Sequence, residues 1–399
     1  MTILKQILAS TKIRKTQKGF LEGLCSLWLA IPGRINFKNL ARYGKLSEKS
    51  YRNWFAKALD FVELNAALVS YLQEHCLIAK ELVLGIDASF IRKSGKASPG
   101  LGKFWDGTGQ KACSGLELSC CSLIDVESKQ AFSLAAKQTP AALSEGRSRI
   151  DAYAEQLKTV LAAVPADLAK QLKYVVGDGY YAKQGFVREV REQARHFVGK
   201  LRCDANLKYL YDGPGTAKPG RPRLYDGKVD FKDFSRWQCI SQSEHEKVFC
   251  LNLYSPSLKQ RIRVVALVRA KRHQLFFSTD LEQAALDILT IYRARFQMEF
   301  PFSDAKQFAG LQHCQSRQPQ AIHFHWNMAL FMVNLVKAEQ RQKHQGQEHS
   351  FRFSMEDAKR RAYNAFFAET IIRFLPFDLS RPKFLQLIQD ALSIGVKAA

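Results

Sequence analysis

Two short apolar runs constrain this chain most: Leu82-Val83-Leu84-Gly85-Ile86-Asp87 and Tyr174-Val175-Val176-Gly177-Asp178-Gly179-Tyr180. Neither alternates polar and apolar residues, so each reads as a strand buried within a sheet rather than one with a wet face. Each ends in an isolated carboxylate, which the strand presents at its C-terminal end. A lone Asp there can be a turn or cap residue, and Gly177-Asp178-Gly179 suits a plain turn. A third segment argues for chemistry instead.

That segment is Tyr292 to Lys306, YRARFQMEFPFSDAK. On a helix, at about 100° per residue, Tyr292, Arg295, Glu299 and Lys306 share one face about 60° wide. Apolar residues normally occupy that spacing, because the stripe faces a core. Here it holds one carboxylate, two cations and a phenol, a set suited to holding a metal ion and gripping phosphates together. The alternative is a solvated face with i,i+4 ion pairs. Pro301, two residues after Glu299, predicts a kink or a restart of the helix, so the one-face argument applies strictly to Tyr292, Arg295 and Glu299.

Tyr, two residues, Arg, three residues, Glu, six residues, Lys is similar to the YREK signature of the IS-four family of bacterial insertion-sequence transposases, and the spacing matches without a gap. The resemblance covers roughly residues 30 to 340. It implies that Asp87, Asp178 and Glu299 form a DDE triad. That triad would bind Mg2+, with Mn2+ as a substitute, Asp87 bridging two ions and the other acids holding one each. Two such ions about 4 Å apart suit in-line displacement at phosphorus. The resemblance also implies that Tyr292, Arg295 and Lys306 grip the phosphates of the transposon end, and that an insertion-domain tryptophan, here Trp237, stacks on a flipped base; a tryptophan packed in the core is the alternative reading. The partners implied are double-stranded DNA, as transposon ends and as target, and a second copy in a homodimeric end complex. The expected activity is binding of terminal inverted repeats, cleavage, and transfer of the 3′-hydroxyl ends into target DNA.

The fold expected is α/β, a ribonuclease-H-like core interrupted by a β-rich insertion and flanked by helical regions. Residues 1–80 read as a helical N-terminal DNA-binding region with 13 Lys and Arg against 5 Asp and Glu. Within it, Ile35–Tyr43 and Glu48–Leu59, the latter capped by Ser47, have helix-turn-helix spacing, with Lys49 and Arg52 facing DNA. Residues 81–203 form the first part of the core: the Asp87 strand, a hairpin turning at Asp125–Ser128, a helix from Ser148 to Lys173, the Asp178 strand, a helix near Phe186–Arg195 and a strand at His196–Lys200. Residues 204–280 alternate in polarity and predict a β-rich insertion, read as a separate module over the active site. Its basic loop, Gly220-Arg221-Pro222-Arg223, resembles an AT-hook core, so Arg221 and Arg223 are candidate DNA contacts. A helix starting at Thr279-Asp280 carries Glu299 in the last part of the core, 281–345. Gln340–Ser350 reads as a linker within this scheme, and 346–399 as a C-terminal helical region.

Composition fits these expectations. Sixty Lys and Arg against 37 Asp and Glu leave a net charge of +23, which favours a polyanionic partner. The nine cysteines include no CxxC pair, against a zinc ribbon or disulfide framework, so reduced thiols are expected. MTILKQILASTKIRK lacks an uninterrupted apolar core, and no early run is long enough to span a bilayer. A bacterial cytoplasmic protein, nucleoid-associated when on DNA, with no membrane partner, is the expectation. Gly107–Ala112 fits a loose dinucleotide pattern without the strand it needs, and His323 and His325 read as helix packing rather than zinc ligands. The rival readings are a ribonuclease-H-like nuclease or resolvase without strand transfer, and a domesticated non-catalytic DNA-binding protein.

Overall fold

The basic N-terminal stretch forms helices because caps and apolar faces recur along it. A computed structural model describes residues 2–93, 95–143, 145–213, 223–270, 272–346, 352–374 and 382–396. Helices α1 (Thr2–Ser10), α2 (Lys15–Ala30), α3 (Phe37–Tyr43), α4 (Glu48–Phe55) and α5 (Phe61–Glu74) come first. Asn36, Ser47 and Asp60 cap the last three, each side chain accepting from the backbone N–H three residues on. Helix α4 stops at Phe55, short of the expected Leu59, with Ala56 closing its last turn. Trp28 anchors this layer, its indole N–H donating to the Ala309 carbonyl at 2.9 Å.

The strands follow: β1 (Leu82–Arg92), β2 (Gly102–Asp106), β3 (Lys111–Asp125) and β4 (Gln130–Gln138). The β3–β4 hairpin turns where expected, and the Asp125 carboxylate accepts from the N–H groups of Glu127 and Ser128 at 3.0 Å. Helix α6 (Arg149–Ala163) opens on a Ser148–Asp151 capping box. The expected single helix to Lys173 is broken before Pro165 and resumes as α7 (Ala166–Gln171), since a proline cannot continue a helical ladder. Strand β5 (Tyr174–Val176), helix α8 (Gln184–Glu192) and strand β6 (His196–Leu201) complete the order read from the sequence.

Residues 204–280 are β-rich: β7 (Lys208–Leu210), β8 (Tyr225–Lys228), β9 (Gln238–Gln242), β10 (Lys247–Ser255), β11 (Gln260–Arg269) and β12 (Arg272–Ser278). They are not a separate sheet. Strand β12 pairs antiparallel with β6, Phe277 opposite Gly199, so the described strands form one sheet in the order β2-β3-β1-β5-β6-β12-β11-β10-β7-β8, with β4 beside β3 and β9 beside β10. Helix α9 (Ala285–Ala294) then leads into a 3-10 turn at Arg295–Met298, followed by α10 (Glu299–Gln307), α11 (Pro319–Lys343), α12 (Met355–Phe374) and α13 (Pro382–Ser393). Helix α9 starts later than Thr279, because the Asp280 carboxylate is engaged by Tyr174 and Lys173. Residues 340–343, expected in a linker, belong to α11.

Helix α11 fastens to β4, whose only strand partner among the described residues is β3. The Asn327 amide accepts from Ala136 N–H at 2.7 Å and donates to the Ala136 carbonyl at 2.9 Å. Asn334 does the same to Ser133 at 3.1 and 2.8 Å, and also donates to Asn65 on α5 at 2.7 Å. Lys337 adds a 3.0 Å bond to the Ala131 carbonyl. These side chains supply the partners a further strand would otherwise provide. Asn334→Leu strands the Ser133 N–H and carbonyl without a partner and is expected to destabilise the protein by about 2–4 kcal/mol, read by urea unfolding; a loss under about 0.5 kcal/mol would contradict the edge-sealing role.

Candidate active site

The register of β1 and β5 brings the two strand-borne acids together. These strands pair in parallel, Leu84 opposite Val175 and Gly85 opposite Val176. Continuing that register by two residues sets Asp178 level with Asp87. Asp178 lies just past β5, its carboxylate accepting from the Tyr180 N–H at 2.8 Å. Gly85 shares a face with Asp87, and a Cβ at Gly85 would collide with the Met298 sulfur. The bare backbone at Gly85 is what lets the 3-10 turn lie against β1.

That turn delivers Arg295. Its guanidinium bonds the Asp87 carboxylate at 3.1 Å and reaches the Glu299 carboxylate at 3.5 Å. Side-chain exposure is 16% for Arg295 and 19% for Asp87, against 48% for Glu299. The Asp87 carboxyl is raised to about 6, with burial as the largest cause; Arg295 opposes the rise, and the negative charges of Asp178 and Glu299 add to it. Burial works against the Arg295 charge, yet the surrounding carboxylates, Asp87 first, hold it firmly protonated. The three acids are therefore electrostatic neighbours around one guanidinium, whose Nε is buried without a hydrogen-bond partner.

The other expected residues are placed unequally. Tyr292 is half-buried against Phe276, ring centroids 4.8 Å apart. Lys306 sits in the last turn of α10, where burial lowers its pKa and the charge of Asp106, at the end of β2, opposes that. The stripe is thus not one continuous helix: the 3-10 turn intervenes, and the helix restarts at Glu299, with Pro301 in the first turn of α10, where its missing N–H costs no ladder bond. Lys49 is exposed on α4. Arg52 is also exposed, but pairs with Glu48 and stacks over Phe37 at 4.8 Å. Arg223 pairs with Asp226 and lies over the Tyr211 ring at 4.7 Å. Arg221 lies outside the described residues.

Trp237 is 5% exposed and packs against Phe234 at 5.5 Å and Phe231 at 6.5 Å, within the hydrophobic core. Sequence reading also passed over a cluster beside Asp178. The Tyr153 hydroxyl donates to the buried Glu117 carboxylate at 2.5 Å, and the buried Tyr181 ring lies 5.3 Å from Tyr153. Burial and then the charge of Asp87 raise the Tyr181 pKa. Glu117, a carboxylate set between Leu116 and Leu118, was the signal available.

The donor set, carboxylate oxygens from three acids that neighbour one another, suits a hard divalent cation. Among the described residues no group of three or more His, Cys, Asp or Glu side chains stands close enough to hold a metal ion as placed. Arg295 is the cation that joins Asp87 to Glu299 here. Loading a metal would therefore require the guanidinium to move aside.

Asp87 midway along β1, Asp178 just past the adjacent parallel β5 and Glu299 thus meet around one guanidinium, a set of oxygen donors of the kind that serves phosphoryl transfer. The profile of the transposase DDE domain matches residues 79–335, and the chain belongs to that family, the enzymes of DNA transposition and recombination. A comparison with curated proteins returns no match. Among solved structures, the chain is similar to piggyBac transposase in a cryo-EM structure of its synaptic complex with hairpin DNA, at 10% identity and a TM-score of 0.42, over 99% of this chain and 81% of that one. No helix among the described residues is long and apolar enough to cross a membrane.

Two outcomes test these placements. Asp87 binds a proton more readily when folded than at its ordinary value of 3.8, so its contribution to stability is full below about 4 and is lost as the pH rises through about 6. Asp87→Asn should flatten the unfolding free energy across that window; an unchanged slope would place the carboxyl in ordinary solvent. Trp237→Ala should cost about 3–5 kcal/mol by leaving a cavity, seen as a lowered Tm whether or not DNA is present.

Proposed function

We propose that this chain is an insertion-sequence transposase of the IS-four type, built on a ribonuclease-H-like core, that cleaves the ends of its element and joins the freed 3′-hydroxyls to target DNA. What supports the reading is that Asp87 on β1 and Asp178, just past the adjacent parallel β5, are electrostatic neighbours, with the Arg295–Glu299 turn laid against Asp87. Asp87, Asp178 and Glu299 would hold magnesium, with manganese as its substitute. When bound, those ions activate the attacking oxygen and stabilise the leaving one.

The remaining chemistry belongs to the chain. Arg295, with Tyr292 beside it, can exchange the Asp87 carboxylate for a DNA phosphate, since both are oxyanions matched by a planar guanidinium. That exchange would leave Asp87 and Glu299 free as ligands. Lys306 would hold a second phosphate near the β2–β3 hairpin. The exposed basic residues of α4, Lys49 and Arg52, would contact the terminal repeat, and Arg221 and Arg223 would follow the backbone from their loop. A homodimer holding both ends, acting in the bacterial cytoplasm, completes the reading. The separate-strand-transfer question is decided by pre-cut ends: a nuclease or resolvase would not join them.

Asp87→Ala, Asp178→Ala and Glu299→Ala should each abolish magnesium-dependent cleavage while leaving DNA binding within about threefold in a gel shift, because metal ligands are not the main grip on a polyanion. Robust cutting by any of the three would remove it from the triad. Arg295→Ala should lower the salt dependence of binding by about one counterion. An unchanged slope with full activity would make the residue a structural ion-pair partner only.

A further inference from the structure

Behind the strands that carry the acids lies a buried polar cluster that the proposed chemistry does not use. Asp87 pairs with Cys120 across the β1–β3 register, so Glu117, three residues away, points to the opposite face of the sheet. There its carboxylate, flanked by Leu116 and Leu118, accepts the Tyr153 hydroxyl at 2.5 Å. Burying a carboxylate is costly, so this charge-assisted bond pins Tyr153 where it stands on α6. The Tyr153 ring in turn meets both tyrosines that follow Asp178, Tyr181 at 5.3 Å between centroids and Tyr180, edge to face, at 6.3 Å. Those two residues hold the Asp178 turn. The Tyr180 N–H donates to the Asp178 carboxylate at 2.8 Å, and the Tyr181 N–H donates to the Asp178 carbonyl at 3.2 Å. On the other side of the acid, a Cβ on Gly177 would come within 3.1 Å of the Tyr181 ring, so that ring packs against the backbone on which Asp178 stands.

We propose that Glu117 and Tyr153 are positioning residues: the pinned Tyr153 ring braces the Tyr180–Tyr181 turn and thereby sets the direction of the Asp178 carboxylate. This rests on the phosphoryl-transfer reading above. Asp178 lies beyond Val176, the last paired residue of β5, so what packs behind the turn fixes its direction where the sheet does not. A carboxylate that is to share a cation with Asp87 tolerates little angular error. Neither Glu117 nor Tyr153 touches the reacting atoms; both act through Asp178.

The test compares Tyr153→Phe, which keeps the ring and loses the pin, with Glu117→Gln, which keeps an acceptor oxygen for the Tyr153 hydroxyl. Each is followed by hydrogen exchange of the DNA-free protein, by gel-shift affinity for the end duplex, and by cleavage as magnesium is titrated. In Tyr153→Phe the amides of Tyr180 and Tyr181 should exchange about tenfold faster, with β1 and α11 protected as in the wild type. Its half-maximal magnesium concentration should rise about 10- to 100-fold, the usual effect of losing a group that orients a metal ligand. DNA affinity should stay within about threefold, since the main grip on the polyanion is elsewhere. Glu117→Gln should behave as the wild type in all three. Should Tyr153→Phe unfold because it strands the Glu117 carboxylate, Y153F/E117L strands none and is expected to show the same exchange and magnesium effects. An unchanged magnesium requirement in the folded variant, or faster exchange spread over the whole chain, makes the pair an ordinary core contact and overturns the inference. Glu117→Gln as impaired as Tyr153→Phe would move the effect from the hydrogen bond to the Glu117 charge, and overturns it too. Wild-type protein that cleaves at no magnesium concentration overturns the phosphoryl-transfer reading, and the positioning role with it.

Discussion

The contact between Asp87 and Arg295 is the constraint on which the site depends. A carboxylate buried near two other acids is unstable as an anion, and it stays in place only because a guanidinium meets it. The pair is separated by 208 residues, so nearly every element between them works to bring β1 and the 3-10 turn together. A partly buried ion pair of this kind contributes little net stability, because both partners gave up water to form it. Its value in the proposed function is that the same guanidinium suits carboxylate and phosphate alike.

Two arrangements make that long closure possible. The β-rich region extends the central sheet through the β6–β12 pairing instead of folding apart, which returns the chain at Ser278 to the neighbourhood of β5 and lets α9 cross the sheet towards Asp87. Helix α11 is then bonded by Asn327, Asn334 and Lys337 to the β4 edge, and α10 is held between these fixed elements. Pairing over such sequence distances is entropically costly to initiate, and a single sheet shares that cost across many ladder bonds.

Much of this was legible because local patterns carry local physics. The unbroken apolar runs marked β1 and β5, since only a doubly covered strand tolerates them. Ser47 and Ser148 announced helix starts through side-chain oxygens that accept orphan backbone N–H groups. One expectation failed where tertiary packing overrode local preference. Gln340–Lys343 is polar enough for a linker, yet α11 continues through it with Arg341 bonded to the Leu77 carbonyl. Trp237 sits in a basic, loop-rich stretch, and Phe231 and Phe234 pack against it.

By itself the sequence determined the strand that carries Asp87 and the one that leads to Asp178, the residue types of the Tyr292–Lys306 stripe and the basic balance that favours a polyanion, because each depends on composition or on spacing within one element. Only the tertiary structure decided that the acids surround Arg295, that Lys306 lies near the β2–β3 hairpin, that the helix breaks at Arg295 rather than at Pro301, and that Trp237 is buried. Those outcomes depend on which surfaces meet across hundreds of residues, and a spacing rule along one chain segment cannot encode a contact whose partner lies in another.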